Sequence, residues 1–343
     1  CIRDRLMGDG DSLTHRIVGQ VASVLRRGEA GESPSETALE RLATAHPDEE
    51  DRRRSAVNLL HGLLVLAAGT ERFEKTVATW ADRVATALAT GDLRSSDDWI
   101  EIVASIDVDG QPPGMITTAL SEAMQGPAVD TLARLVTAPP PDGAGSITRK
   151  AAPLFAARGL VAELGDEQRR GRRKLLLKGL QVVAHLRPQD LVPHLGDERW
   201  NVVRNVVVAL GTSKRHDVAT EIDPLRRHAD HRVRLEALRA LYRLRGDDAA
   251  GVLLEHLNDP DGSVAAEAAR LLGAVHLPDL DRRLIRRTEE ADLPEALAAV
   301  MALGRLTTPA SADALRRMAR RMFAFGRNRQ LKRAARRALE DRT

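Results

Sequence analysis

Asp230-His231-Arg232-Val233-Arg234-Leu235-Glu236-Ala237-Leu238-Arg239-Ala240-Leu241 is answered, 31 residues on, by Asp261-Gly262-Ser263-Val264-Ala265-Ala266-Glu267-Ala268-Ala269-Arg270-Leu271-Leu272-Gly273. Each run opens on an aspartate and carries apolar residues at i, i+4 and i+8: Val233, Ala237 and Leu241, then Val264, Ala268 and Leu272. That spacing is one stripe of an α-helix. The same step of 31 joins Leu210, Leu241, Leu272 and Leu303, and again Leu191, Ile222, Leu253, Leu284 and Leu315. Val202, Val233 and Val264 make a third column, whose fourth place is Glu295. A fixed period of this length means one supersecondary unit stacked on copies of itself. The expected fold is an all-α solenoid in which each unit is a short helix A, a turn and a longer helix B.

Local chemistry agrees with that unit. Asp230, Asp261 and Asp292 stand just before helix B, where a carboxylate can accept the unpaired N–H groups of the first turn. Asp217, Asp248 and Asp279 recur ahead of helix A. Gly211, Gly273 and Gly304 follow the last leucine, where a helix end favours a left-handed residue. Alanine in the middle of the B stripe lets neighbouring helices come close. The last unit is displaced by five residues, with Leu331 to Leu339 as its helix B, as a terminal cap would be. Hydrophobic residues make up 43% of the 343 residues and aromatic ones only 2%, so the core is leucine, valine and alanine, which suits helices better than sheets.

Upstream the period fades but the helical pattern continues. Helices are expected over Ser12–Arg27, Ala56–Ala68, Glu71–Ala89, Met115–Met124, Ala128–Leu135, Lys150–Leu164 and Gln168–His185. Asp97 and Asp98 read as the N-cap of a helix containing Trp99. Gly28–Ser35 and Pro47–Arg54 read as loops. Ala138-Pro139-Pro140-Pro141-Asp142-Gly143-Ala144-Gly145-Ser146 is the clearest break, because proline removes donors and glycine removes rigidity. The organisation expected is an irregular helical region over 1–140, as degenerate repeats or a bundle, and a regular solenoid with a basic cap over 148–343.

Three residue patterns carry a resemblance. Asp-Pro-Asp-x-x-Val at 259–264, Val-Arg-x-x-Ala-x-x-Ala-Leu at 233–241 and the closing Leu-Gly pairs resemble the HEAT repeats of bacteria, in the short form also found in phycobilisome-lyase-like proteins. The resemblance covers 188–343 well and 150–187 more loosely. It implies an interaction scaffold of the kind that accompanies bacterial signalling or regulatory modules. The turn arginine of the motif, Arg234, is replaced by Val203, Ala265 and Ala296 in the other units, so a repeated Asp–Arg ladder at that place is partial.

Chemistry of other kinds finds little support. There is no Gly-x-Ser-x-Gly elbow, no phosphate-cradling glycine loop before Lys-Ser/Thr and no His-Glu-x-x-His. His194 and His256 stand two periods apart and fit surface or capping roles of an inherited repeat, while a metal would need three or four converging ligands. A non-catalytic protein without a cofactor is expected. Cys1 is the single cysteine, which leaves no disulfide framework and agrees with a cytoplasmic setting. The chain opens without Met, as a fragment or a processed product would, a mature lipoprotein being one form of the latter. No apolar run is long enough to span a bilayer.

The strongest functional hint is charge. Residues 281–343 hold 16 Lys+Arg against 8 Asp+Glu, while 1–165 hold 17 against 24. Arg316, Arg317, Arg320 and Arg321 share one helix edge, and Arg329, Lys332, Arg333, Arg336 and Arg337 crowd the next helix, after Arg327. These residues are the expected contacts for a protein partner, an acidic one in particular. The alternative is a nucleic-acid-binding solenoid, and the plain reading of the same arginines is a solvated cap. Trp200 is either an exposed partner anchor or a plug against the preceding helix pair, the plug being the favoured reading.

Overall fold

The computed structural model describes residues 73–104, 114–320 and 326–341. The expected helices at Ser12–Arg27 and Ala56–Ala68, the loops at Gly28–Ser35 and Pro47–Arg54, and Arg321 lie outside the described residues. Two compact units are present, Cys1–Val183 and Ala184–Thr343. Every regular element among the described residues is helical.

In the first unit, α1 (Phe73–Thr90) packs against α2 (Leu93–Ala104), α3 (Met115–Ala123) and α4 (Pro127–Thr137). Its stripe Phe73, Val77, Trp80, Val84 and Leu88 is at most 2% exposed. Trp80 Nε1 donates to Trp99 O at 2.6 Å, which satisfies the indole inside the core. The N-cap of α2 is Asp92, whose carboxylate accepts from Ser95 N at 3.0 Å, and not the expected Asp97 or Asp98. Asp97 lies a turn inside α2 and serves another helix: its Oδ1 accepts from Thr148 N and Thr148 Oγ1, both at 2.8 Å. Thr148 belongs to α5 (Ser146–Ala151), so Asp97 ties α2 to α5 across the Pro-rich stretch 138–145. Pro153 lies in a 3₁₀ turn, Ala152–Leu154, which separates α5 from α6 (Ala156–Asp166) where a single helix was expected. Next comes α7 (Arg170–Leu186). Arg172 at its start holds three carboxylates: Asp130 of α4 at 2.8 Å, Glu163 of α6 at 2.7 Å and Glu167 at 2.7 Å.

The second unit is the solenoid. Its B helices are α8 (Trp200–Leu210), α10 (His231–Arg245), α12 (Gly262–Leu272), α14 (Leu293–Arg305) and α16 (Arg327–Glu340). Each packs on the next in that order. The first three A segments are broken; Pro193 and Pro224, which cannot donate to a regular ladder, fall in the first two, and the third has no proline. They are 3₁₀ turns at Pro188–Asp190 and Val192–Gly196; a 3₁₀ turn, α9 (Ala219–Ile222) and a second 3₁₀ turn over 216–227; and α11 (Ala250–Glu255) between two such turns. The A helices become regular only at α13 (Leu280–Glu290) and α15 (Pro309–Arg320).

The columns are the core. Leu210, Leu241, Leu272 and Leu303 are 0% exposed, as are Leu191, Ile222, Leu253, Leu284 and Leu315. In the displaced last unit Leu331 and Ala335 are buried as well. Capping also follows the pattern: Asp230 accepts from Arg232 N at 2.8 Å, Asp261 from Ser263 N at 2.9 Å and Asp292 from Glu295 N at 3.2 Å. The parallel series ahead of helix A does not cap. Asp217 pairs with Arg215 in a 3₁₀ turn, and Asp279 precedes α13 in a left-handed conformation (φ 62°) without a side-chain cap bond.

The closing glycines differ from expectation in an informative way. Gly211 and Gly273 have φ of −64° and −63°, right-handed helical values that any residue adopts. Gly304 lies inside α14. What they share is the absence of a side chain where the next B helix passes. A Cβ on Gly211 would lie 2.7 Å from Ala240 Cβ and 2.9 Å from Ala240 Cα; one on Gly304 would lie 2.8 Å from Ala338 Cβ. These glycines set how closely successive units stack.

Candidate partner-binding surface

The B helices leave one face open between their buried stripes, and its polar residues sort into two groups. On α8, α10 and α12 they neutralise one another. Arg204 Nη2 donates to Glu236 Oε1 at 2.9 Å, Arg239 Nη1 to the same oxygen at 3.1 Å, Arg239 Nε to Glu267 Oε1 at 2.8 Å, and Arg270 Nη2 to Glu267 Oε1 at 2.6 Å. The result is a run of alternating charges across three helices. Both glutamates are largely buried, and Arg270, then Arg239, hold the Glu267 carboxyl down at about 2 against the opposing effect of burial. This run was missed in the sequence, although a signal exists: Glu236 and Arg239 recur one period later as Glu267 and Arg270. Arg234, the motif arginine, makes a two-pronged pair with Asp259 at 2.7 and 2.8 Å and donates to His228 O and Ala229 O. It joins α10 to the following turn at this one place.

Within the second unit, Ala184–Thr343, histidines also tie repeat to repeat. His185 Nδ1 meets Ser213 O at 3.0 Å and, one period on, His216 Nδ1 meets Leu244 O. His256 is 8% exposed, with Nδ1 2.8 Å from Val252 O and Nε2 2.9 Å from Arg226 O, so it is a buried bridge and not a surface group. Among the described residues no three metal-ligating side chains converge. No helix among them is long and apolar enough to cross a membrane.

At the C-terminal end the arginines behave otherwise. On α15, Ala314, Leu315 and Met318 turn inward, which sets Arg316, Arg317 and Arg320 on the exposed edge. On α16, Leu331, Ala335 and Ala338 turn inward, and Arg329, Arg333, Arg336 and Arg337 are exposed while Lys332 is half-buried. Arg316 is paired with Asp313 at 2.7 Å. Arg327 donates to Thr288 O at 3.0 Å and so closes the end of α13, a structural task. Arg317, Arg320, Arg329, Arg333, Arg336 and Arg337 have no carboxylate partner among the described residues. A cleft of about 530 Å³ opens between α14 and α16, lined by Leu297, Gly326, Arg329, Gln330 and Arg333.

Trp200 is not brought to this cluster, since α10, α12 and α14 lie between α8 and α16 in the stack. It is half-buried at the first turn of α8, and the guanidinium carbon of Arg232 sits 3.9 Å from its ring centroid. The residue therefore engages the following unit through a cation–π contact, a contact that neither a free anchor nor a buried plug describes.

Comparison with known proteins adds the following. No curated protein matches the chain. Similar solved structures include an engineered protein, 16% identical with a TM-score of 0.31, covering 98% of this chain and 97% of that one. Another is a chain of the Pds5–Scc1 complex, 12% identical with a TM-score of 0.38, covering 95% of this chain and 62% of that one. Residues 188–273, from the first 3₁₀ turn of the second unit to the glycine that follows α12, match the family model described as HEAT repeats.

Proposed function

We propose that the chain is a non-catalytic interaction scaffold whose basic C-terminal repeats, Arg316, Arg317, Arg320, Arg321, Arg329, Lys332, Arg333, Arg336 and Arg337, dock an acidic surface of a protein partner. One observation carries the reading. Arg204, Arg239 and Arg270 on α8, α10 and α12 have built-in carboxylates. Exposed Arg243, Arg283, Arg286 and Arg305 lack one among the described residues, and what sets the packed pair α15 and α16 apart is that six such arginines crowd there. A guanidinium committed to a buried glutamate holds repeats together; an uncommitted one is available to a carboxylate from outside. The period of the B helices supports a scaffold, since stacked repeats present an extended surface and no enclosed site. The resemblance of the repeat to bacterial HEAT arrays supports service in bacterial signalling or regulation, and the single cysteine agrees with a cytoplasmic setting.

The test is affinity capture from native lysate with the intact chain, with and without nuclease, against a variant carrying Arg317→Glu, Arg320→Glu, Arg333→Glu and Arg337→Glu. A protein retained by the wild type after nuclease and lost by the variant is the expected result. Retention that disappears on nuclease treatment, together with duplex binding that weakens steeply with salt, would replace the scaffold by a nucleic-acid-binding solenoid.

A further inference from the structure

The open face of the B helices changes character at α14. Stepping by one period, the position of Glu236 and Glu267 becomes Ala298, and that of Arg239 and Arg270 becomes Met301. The position of Leu235 and Ala266 becomes Leu297. The alternating charges thus stop at Arg270 and an apolar stripe replaces them. Met301 is 42% exposed, one of three large apolar side chains so exposed among the described residues, and Leu297 is half-buried on the floor of the cleft. On the far wall of that cleft stand Arg329 and Arg333, one helical turn apart, exposed and without carboxylate partners among the described residues.

Leu297 under a wall of uncommitted guanidiniums, with exposed Met301 one turn further along the same helix, asks for one ligand chemistry. We propose that the cleft between α14 and α16 is the docking groove for a partner segment that places an apolar side chain over Leu297 and Met301 and its flanking aspartates or glutamates against Arg329 and Arg333. This deepens the scaffold reading and rests on it. The molecule itself shows what its guanidiniums accept, because Glu267 sits between Arg239 at 2.8 Å and Arg270 at 2.6 Å one helix away. A partner carboxylate would supply the acid that Ala298 lacks. A phosphate backbone would satisfy the arginines but gain nothing from Leu297 and Met301, which is why the groove favours a peptide over a duplex.

The experiment uses the full chain and a short labelled peptide of Asp, Glu and Leu, with two counterparts in which serine replaces leucine or lysine replaces the acids. Fluorescence anisotropy is expected to show binding of the first peptide and roughly tenfold or weaker affinity for each counterpart, the loss produced by ~1.4 kcal/mol. Met301→Asp and the pair Arg329→Glu with Arg333→Glu should each weaken binding by about tenfold, while the pair Arg283→Glu with Arg286→Glu on α13, exposed and outside the docking set, changes it by less than about twofold. All these positions are exposed, so unchanged far-UV circular dichroism confirms that the variants fold. Equal losses from the α13 and α16 pairs would overturn the groove yet leave an acidic partner at the basic end standing. So would no binding of any peptide by a chain that still captures a protein from lysate. Tighter binding of random duplex than of the peptide would overturn both.

Discussion

Gly211→Ala tests the packing account most directly, because two general expectations oppose one another at this residue. In an ordinary helix the change adds rigidity and gains about 0.5–1 kcal/mol. Here the backbone is right-handed, so no conformational strain enters. The new methyl would lie 2.7 Å from Ala240 Cβ and 2.9 Å from Ala240 Cα, both on α10. Ordinary contact requires the gap to widen by about 0.7 Å, and neither of the two atoms sits at the end of a flexible side chain that could swing aside. Ala240 is fully buried with Leu241 beside it, so α10 can yield only by disturbing its own packing on α12. Overpacking of this kind costs about 1–3 kcal/mol; set against the gain in rigidity, the net loss is on the order of 1–2 kcal/mol. Urea unfolding of the full chain, followed by circular dichroism, would show it as a lower midpoint. Gly251→Ala is the control: Gly251 is exposed in α11 with nothing within 4 Å of its Cβ position, and the substitution should be neutral or stabilising. If Gly211→Ala matches or exceeds the wild type, the repeated glycine does not set the distance between units.

Leu272→Ala or Leu241→Ala should cost about 2–5 kcal/mol by the same assay, since each leucine is fully buried between successive units; a loss below about half a kilocalorie would place the stripe on the wrong face. Glu267 is held at about 2 against an ordinary value of 4.5, so its contribution is complete above pH 4.5 and disappears as pH falls towards 2. Glu267→Gln should therefore flatten the acid limb of stability in that window, and parallel curves for the two proteins would remove the pair from the ledger of stabilising contacts. Arg172→Ala removes the partner shared by three carboxylates on α4, α6 and the turn before α7, leaving Glu167 with Arg169 and Glu163 with Gly126 N, whereas Arg158→Ala breaks a pair whose members are 61% and 58% exposed. The first should lower the thermal midpoint clearly and the second hardly at all; equal effects would mean that Arg172 is no tie.

Several features could be read from sequence because they depend on neighbours along the helix. The N-caps at Asp230, Asp261 and Asp292 are local, since each carboxylate meets an N–H two or three residues away. The leucine and valine columns were legible for a related reason: every unit faces its neighbour in the same way, so the buried positions repeat. Asp97 shows where that logic fails. Its sequence neighbourhood fits a cap of its own helix, yet the carboxylate reaches Thr148, 51 residues on. His256 shows the same failure, its repeat position saying nothing of the carbonyls that enclose it.

The period alone determined that the second unit is a stack of helical hairpins and which residues are buried in it, while composition along the chain showed two basic stretches, 166–245 with 18 Lys+Arg against 10 Asp+Glu and 281–343 with 16 against 8. The tertiary structure decided which arginines are already committed and why glycine closes the units. The physical reason is reach. A methyl packs only against what touches it, so apolar columns keep one strict step, whereas an arginine finds its acid at varying offsets: 32 residues for Arg204 and Glu236, 28 for Arg239 and Glu267, 25 for Arg234 and Asp259. The recurrence of Glu236 and Arg239 as Glu267 and Arg270 marks the residues but no single offset marks which pair with which, and the distance between two helices that a glycine permits belongs to neither helix by itself.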